Sequence, residues 1–340
     1  MLRTSIINKP RIQEAADIIK SGGLVAFPTE TVYGLGADAF NVQAVARIYE
    51  AKGRPGDNPL ILHVANIAQF LQLSEAVPDY ALALAQKFWP GPLTLVTPKS
   101  PILPSWVGGH PSRNAATIGV RIPNHSIALA LIEAVGGAVS APSANKAGRP
   151  SPTTAWHVKA DFGDEIEMIL DGDISHIGLE STVVDVTGDA PVILRPGAIT
   201  KAMIYETANI SPGKVSQNDN AAPRSPGMKY RHYAPKAPIT IVSGTSDDVS
   251  SYILQQSAKN AAVLVTDTTS QNFKKIHDGM KILPLGNNHE SIAQNLFARL
   301  RQCDEMGVDI IFAEAVQSVG IGVAIMDRLL KAAEGNIVYV

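Results

Sequence analysis

Between Ser211 and Lys236 the chain has no hydrophobic period; Pro, Gly, Ser, Asn and Asp dominate it. A stretch of that length without secondary-structure signals does not belong inside a compact domain. It divides the chain into two folding units joined by a linker or a functional loop. For 340 residues the expected organisation is a first domain over 1–210, a linker over 211–237 and a second domain over 238–340. The later half of the linker, Arg224-Ser-Pro-Gly-Met-Lys-Tyr-Arg-His-Tyr-Ala-Pro, is basic and aromatic, which a plain spacer does not require.

Before the linker, helix and strand signals alternate. Ile12, Ala15, Ala16 and Ile19 share one helical face over 11–20, and Gly22 and Gly23 stop it. The apolar run 24–27 suits a buried strand. Asn41 is placed to cap a helix that ends at Gly53. Further helices are expected over 80–89, 127–135 and 153–162. Strands are expected over 60–64, 93–96, 117–122, 138–141, 168–170, 181–186 and 192–194. Strands outnumber helices and the last ones follow one another closely, so the expectation is an α/β fold with a twisted mixed sheet. After the linker, strands over 239–242, 262–265 and 309–312 with helices over 291–301 and 323–330 describe a smaller α/β domain of Rossmann-like character.

Composition removes several classes. Hydrophobic residues make up 45% and charged residues 18%, a globular balance. No apolar run approaches the roughly 20 residues that span a bilayer, and Met1 to Pro10 lacks a signal-peptide pattern. The single cysteine, Cys303, excludes an intramolecular disulfide and Cys-rich metal sites, and is expected to be a buried helix residue. The expected location is cytoplasmic and no membrane contact is expected. A net charge of −2 gives no global attraction for nucleic acid, so any RNA would be met through a local patch or by a downstream partner. There is no phosphate-binding P-loop string and no nucleophile elbow. Gly34-Leu-Gly36 reads as a turn rather than a dinucleotide fingerprint, and Gly320-Ile-Gly322 as a place of close helix packing.

Four segments carry polar residues where strands should end: Pro28-Thr-Glu-Thr-Val-Tyr-Gly-Leu-Gly36, Lys52-Gly-Arg54-Pro-Gly-Asp-Asn58 followed by His63, Thr117-Ile-Gly-Val-Arg121, and Ser140-Ala-Pro-Ser143-Ala-Asn145 with Ser151 beyond it. Each has a plain structural alternative. Thr hydroxyls cap turns, Lys52 and Arg54 suit a helix C-terminus, and Ser143 and Asn145 suit caps. Arg121 is harder to dismiss. It lies inside an apolar strand, where a charge needs a partner or a ligand. Together the segments fit a site for a polyanion, with guanidinium and ammonium groups on carboxylate or phosphate.

These segments resemble the YrdC-type family of threonylcarbamoyl-AMP synthases. The family's K-x-R and S-x-N signatures stand here as Lys52-Gly-Arg54 and Ser143-Ala-Asn145, and the strings Gly178-Leu-Glu-Ser-Thr-Val-Val-Asp185 and Arg195-Pro-Gly197 follow in order. The linker and second domain resemble the longer, two-domain form, so the resemblance covers nearly the whole chain. It implies that L-threonine, bicarbonate and ATP give threonylcarbamoyl-AMP and pyrophosphate, with Mg2+ carried by ATP and no protein metal ligands. The product would pass to a transferase complex that modifies tRNA beside the anticodon; a weak direct tRNA contact is compatible with this.

The resemblance also implies roles residue by residue. Lys52, Arg54, Ser143 and Asn145 are the catalytic candidates. Thr31, His63, Arg121, Ala141 and Ser181 are the threonine candidates. Arg54, Asn58, Thr117, Ser143, Ser151 and Arg195 are the ATP candidates, with His232 and Tyr233 as candidates for a lid over the nucleotide. Two competing expectations are weaker. Carbamoyl-adenylate chemistry in hydrogenase maturation uses a related domain, but with Cys pairs this chain lacks. An RNA-binding module would not place Arg121 within an apolar strand.

Overall fold

The structure, a computed structural model, describes residues 5–7, 11–112, 114–210, 232–256, 258–273 and 279–340. Most of the expected linker, 211–231, lies outside the described residues. Two compact units are present. The first comprises the described residues of Met1–Ala147, Pro152–His176 and Glu180–Lys229; the second comprises Gly148–Ser151, Ile177–Leu179 and the described residues of Tyr230–Val340.

The first unit runs β1 (Ser5–Ile7), α1 (Ile12–Lys20), β2 (Val25–Phe27), β3 (Gly34–Asp38), α2 (Val42–Lys52), β4 (Ile61–His63), α3 (Ile67–Leu73), α4 (Asp79–Phe88), β5 (Leu93–Pro98), β6 (Thr117–Arg121), α5 (Ser126–Val135), β7 (Val139–Ser140), α6 (Ala155–Phe162), β8 (Met168–Leu170), β9 (Thr182–Asp185), β10 (Val192–Arg195) and α7 (Lys201–Ala208). Its ten described strands form one sheet in the order β1-β8-β2-β3-β7-β4-β6-β5-β9-β10. Parallel pairs such as β4 with β6 and antiparallel pairs such as β2 with β3 coexist, as expected for a mixed sheet.

The apolar run 24–27 is explained by burial on both faces. Leu24 and Ala26 pack with Val45, Ile48 and Phe162, whereas Val25 and Phe27 pack with Ala15, Ile19, Leu131 and Ile132. Asn41 caps α2 as expected, its side chain accepting from the backbone N–H groups of Gln43 and Ala44.

Gly34-Leu-Gly36 is not a turn. It opens β3, which pairs antiparallel with β2. A Cβ at Gly36 would lie 2.8 Å from Phe27 Cε1 and 3.0 Å from Val139 Cγ1. The glycine therefore serves close strand packing, which a turn reading of the same letters misses.

The second unit contains β11 (Ile239–Ser243), α8 (Ser246–Gln255), β12 (Ala261–Val265), α9 (Asp267–Ser270), β13 (Met280–Pro284), α10 (His289–Met306), β14 (Ile310–Glu314), α11 (Gly322–Ala332) and β15 (Ile337–Tyr339). All four of its strand pairings are parallel, in the order β13-β12-β14-β11-β15. The interior strand β12 is buried throughout, as a parallel strand covered on both faces must be. Cys303 is buried in α10, and burial pushes its thiol up to about 12.

Two short pieces from within the expected first domain fold with this unit. Arg301 Nη2 donates to the Pro150 carbonyl at 2.6 Å, and the Ala234 N–H to the Gly148 carbonyl at 2.9 Å. Tyr233 holds a left-handed φ of 64°. Its ring stacks on Phe297 at 5.3 Å and lies under the Arg328 guanidinium at 5.4 Å.

Candidate active site

Thr29 builds the loop between β2 and β3. Its Oγ1 accepts from the N–H groups of Thr31 (3.2 Å) and Val32 (3.3 Å) and donates to the Val32 carbonyl at 2.6 Å. Because that proton is committed, the Thr31 hydroxyl donates to Thr29 across 2.8 Å. Thr31 Oγ1 in turn accepts from Arg121 Nη1 at 2.8 Å. The chain of bonds fixes one edge of the guanidinium, and Nε donates to the Gly91 carbonyl at 3.2 Å.

The remaining nitrogen, Arg121 Nη2, lies 2.7 Å from Glu30 Oε2, with the two side chains only 5% and 7% exposed. The pair is close but out of line. Neither Nη2 nor either oxygen of Glu30 has a hydrogen-bond partner among the described residues. Glu30 is a buried residue of the site that sequence reasoning passed over. A lone acid in a polar loop gives no sign that it faces an arginine from a distant strand.

His63 stands beside Arg121 as its register partner on the neighbouring parallel strand. Burial first, and then the Arg121 charge, push the imidazole down to about 3. The ring is neutral, meets Phe27 edge-on at 6.0 Å, and leaves Nδ1 without a partner among the described residues. Ala141 is buried and donates its N–H to the Ile61 carbonyl at 2.9 Å, which ties the loop after β7 to β4.

Ser181 and Arg195 form a second knot. Arg195 Nε and Nη2 donate to the Ser181 carbonyl at 3.2 and 3.0 Å, and Nη2 reaches the Ser181 hydroxyl at 3.2 Å. Thr94 Oγ1 shares a proton with that hydroxyl at 2.8 Å. An expected ATP residue is thus joined to an expected threonine residue.

Lys52 is buried at the end of α2, and its ammonium donates to the backbone carbonyls of Ser143 and Asn145. The Ser143 hydroxyl donates to Asn145 Oδ1 at 2.6 Å. The K-x-R and S-x-N segments therefore meet, with Lys52 shaping the loop that presents Ser143 and Asn145. Arg54 donates to the carbonyls of Asn58 (3.1 Å) and Pro59 (2.7 Å). Asn58 is buried and its Oδ1 has no partner among the described residues. Thr117 is half-buried at the start of β6. Ser151, His232 and Tyr233 belong to the second unit.

A buried, hydroxyl-flanked guanidinium and a lysine-held Ser-x-Asn loop thus lie on the one mixed sheet of an α/β unit. The Sua5/YciO/YrdC family model, described as telomere recombination, matches residues 17–197. A second model, described as threonylcarbamoyl-AMP synthase, C-terminal domain, matches residues 199–334.

The threonylcarbamoyl-AMP synthase of Pyrococcus abyssi (strain GE5 / Orsay) is 46% identical, covering 99% of this chain and 100% of that one. That of Bacillus subtilis (strain 168) is 44% identical, covering 97% and 95%. A crystal structure of P. abyssi Sua5 complexed with L-threonine matches with a TM-score of 0.86 at 43% identity over 99% of this chain and 98% of that one. The chain belongs to the threonylcarbamoyl-AMP synthase family. Among the described residues, no helix is long and apolar enough to cross a membrane.

Proposed function

We propose that this protein condenses L-threonine, bicarbonate and ATP into threonylcarbamoyl-AMP and pyrophosphate. The threonine amine combines with bicarbonate to give a carbamate and water. A carbamate oxygen then forms a bond to the α-phosphorus as the bond to the pyrophosphate oxygen breaks. No protein nucleophile is needed, so positioning and charge compensation supply the catalysis.

The observation that carries this proposal is the buried Arg121 guanidinium, held on two edges by Thr31 and Gly91 and beside a neutral His63. Its third edge is turned to an ion pair without hydrogen-bond geometry. Arg121 takes the threonine carboxylate there. His63, Thr31 and Ser181 supply uncharged polar contacts, and the backbone at Ala141 closes the site. Asn58 Oδ1, a buried acceptor, suits an N–H or O–H of the nucleotide. Ser143 and Asn145, held by Lys52, present hydroxyl and amide groups to the reacting phosphate. Arg54, Thr117 and Arg195 are assigned to ATP. The assignments of Ser151, His232 and Tyr233 to ATP rest on motif order alone.

Magnesium belongs to the ATP substrate in this scheme. The product is a reactive mixed anhydride, and in this scheme a threonylcarbamoyl transferase complex acting on tRNA consumes it, in the cytoplasm. The test is pyrophosphate release from ATP and magnesium with threonine or bicarbonate omitted in turn. Release that requires both supports the proposal, and release indifferent to either contradicts it.

A further inference from the structure

We propose that Glu30 binds the substrate's ammonium group, and that the amino acid enters as a zwitterion by inserting into the Glu30–Arg121 ion pair. The proposal rests on the threonine specificity put forward above. Glu30 and Arg121 are 2.7 Å apart, yet Nη2 and both carboxylate oxygens lack hydrogen-bond partners among the described residues. A buried carboxylate with neither oxygen hydrogen-bonded is costly, and native structures keep such a group where a ligand completes it. The other two nitrogens are each bonded: Nη1 donates to Thr31 and Nε to the Gly91 carbonyl. Nη2, the nitrogen beside Glu30, is the one that carries no bond among the described residues, and a ligand carboxylate would meet the guanidinium there.

An α-amino acid matches these two side chains group for group. Its carboxylate accepts from Arg121 Nη2, and its ammonium, one carbon away, donates to the two oxygens of Glu30. A zwitterion of zero net charge enters a pair of zero net charge, so the buried site never holds an uncompensated ion. A hydroxy acid without the amine would set an anion against Glu30. An amino alcohol without the carboxylate would set a cation against Arg121. His63 is neutral and alters neither balance. Glu30 therefore makes the site select for amino acids, a discrimination that Arg121 alone does not supply.

Calorimetric titration tests this with L-threonine, β-hydroxybutyrate and threoninol on the full chain. The wild type should bind threonine at least about tenfold more tightly than either analogue. Glu30→Gln should weaken threonine by about tenfold or more while leaving β-hydroxybutyrate unchanged or tighter, with ATP binding intact as the folding control. Glu30→Asp, which keeps the charge, should recover part of the loss. Equal weakening of threonine and β-hydroxybutyrate by Glu30→Gln, or unchanged threonine binding, overturns the assignment. Wild type that does not discriminate between threonine and its analogues overturns it without any variant. Wild type that binds no threonine at all overturns the proposed function itself, and the Glu30 assignment with it.

Discussion

Arg121 and His63 are register partners on neighbouring parallel strands, and the guanidinium's charge adds to burial in keeping the imidazole unprotonated. The folded value of about 3 lies below the ordinary 6.5, so the unfolded chain takes up this proton first. The resulting stability is complete above the ordinary value and is lost as pH falls towards the folded one. Between about pH 7 and pH 5 the wild type should lose about 2 kcal/mol that His63→Gln does not. Urea unfolding of both proteins at the two pH values measures this, and parallel losses would contradict it.

Lys52 is expected to matter through the loop it holds. Lys52→Met keeps length but strips the donor from two carbonyls. The loss should be about 2–3 kcal/mol of stability. Pyrophosphate release should fall by about tenfold or more as Ser143 and Asn145 lose their placement. Unchanged melting together with unchanged turnover would reduce Lys52 to a helix terminus.

Arg121→Ala has two expected consequences. Threonine binding should weaken by about 2–5 kcal/mol, read as a steep rise in the threonine needed for turnover. The fold should also lose about 3–5 kcal/mol, because Glu30 is left buried and unpaired. Adding Glu30→Gln should restore part of the stability but none of the threonine affinity. A double variant as unstable as Arg121→Ala alone would show that the two side chains are not coupled.

Gly178 tests the second unit. It has a φ of +76°, and a Cβ there would fall 2.5 Å from Gln294 Cα and 2.6 Å from the Ala293 carbonyl oxygen. Gly178→Ala should cost more than about 1 kcal/mol and speed hydrogen exchange of the α10 amides. Unchanged exchange in α10 would contradict the close approach.

Periodicity made most of the first unit legible, since the runs at 24–27, 60–64 and 117–122 are buried strands and Asn41 and Gly53 bound α2 as expected. What it missed has physical reasons. β3 was hidden because Gly34-Leu-Gly36 has a turn's letters, and only the approach of Phe27 and Val139 shows why glycine is needed. α8 escaped because its buried apolar side is little more than Val249 and Ile253 amid Ser, Asp and Gln. In the site, motif strings pointed to Lys52, Ser143 and Asn145, and a charge inside an apolar strand pointed to Arg121, but neither signal showed what these residues touch. Glu30 and Thr94 were invisible because their significance lies in partners far along the chain.

The most direct test of the central claim is mass spectrometry of the adenylate formed from ATP, L-threonine and heavy-carbon bicarbonate. The proposed chemistry predicts a threonylcarbamoyl-AMP that carries the heavy carbon and is absent when threonine is omitted. An adenylate without the label, or ATP turnover that yields no threonine-containing adenylate, would contradict it.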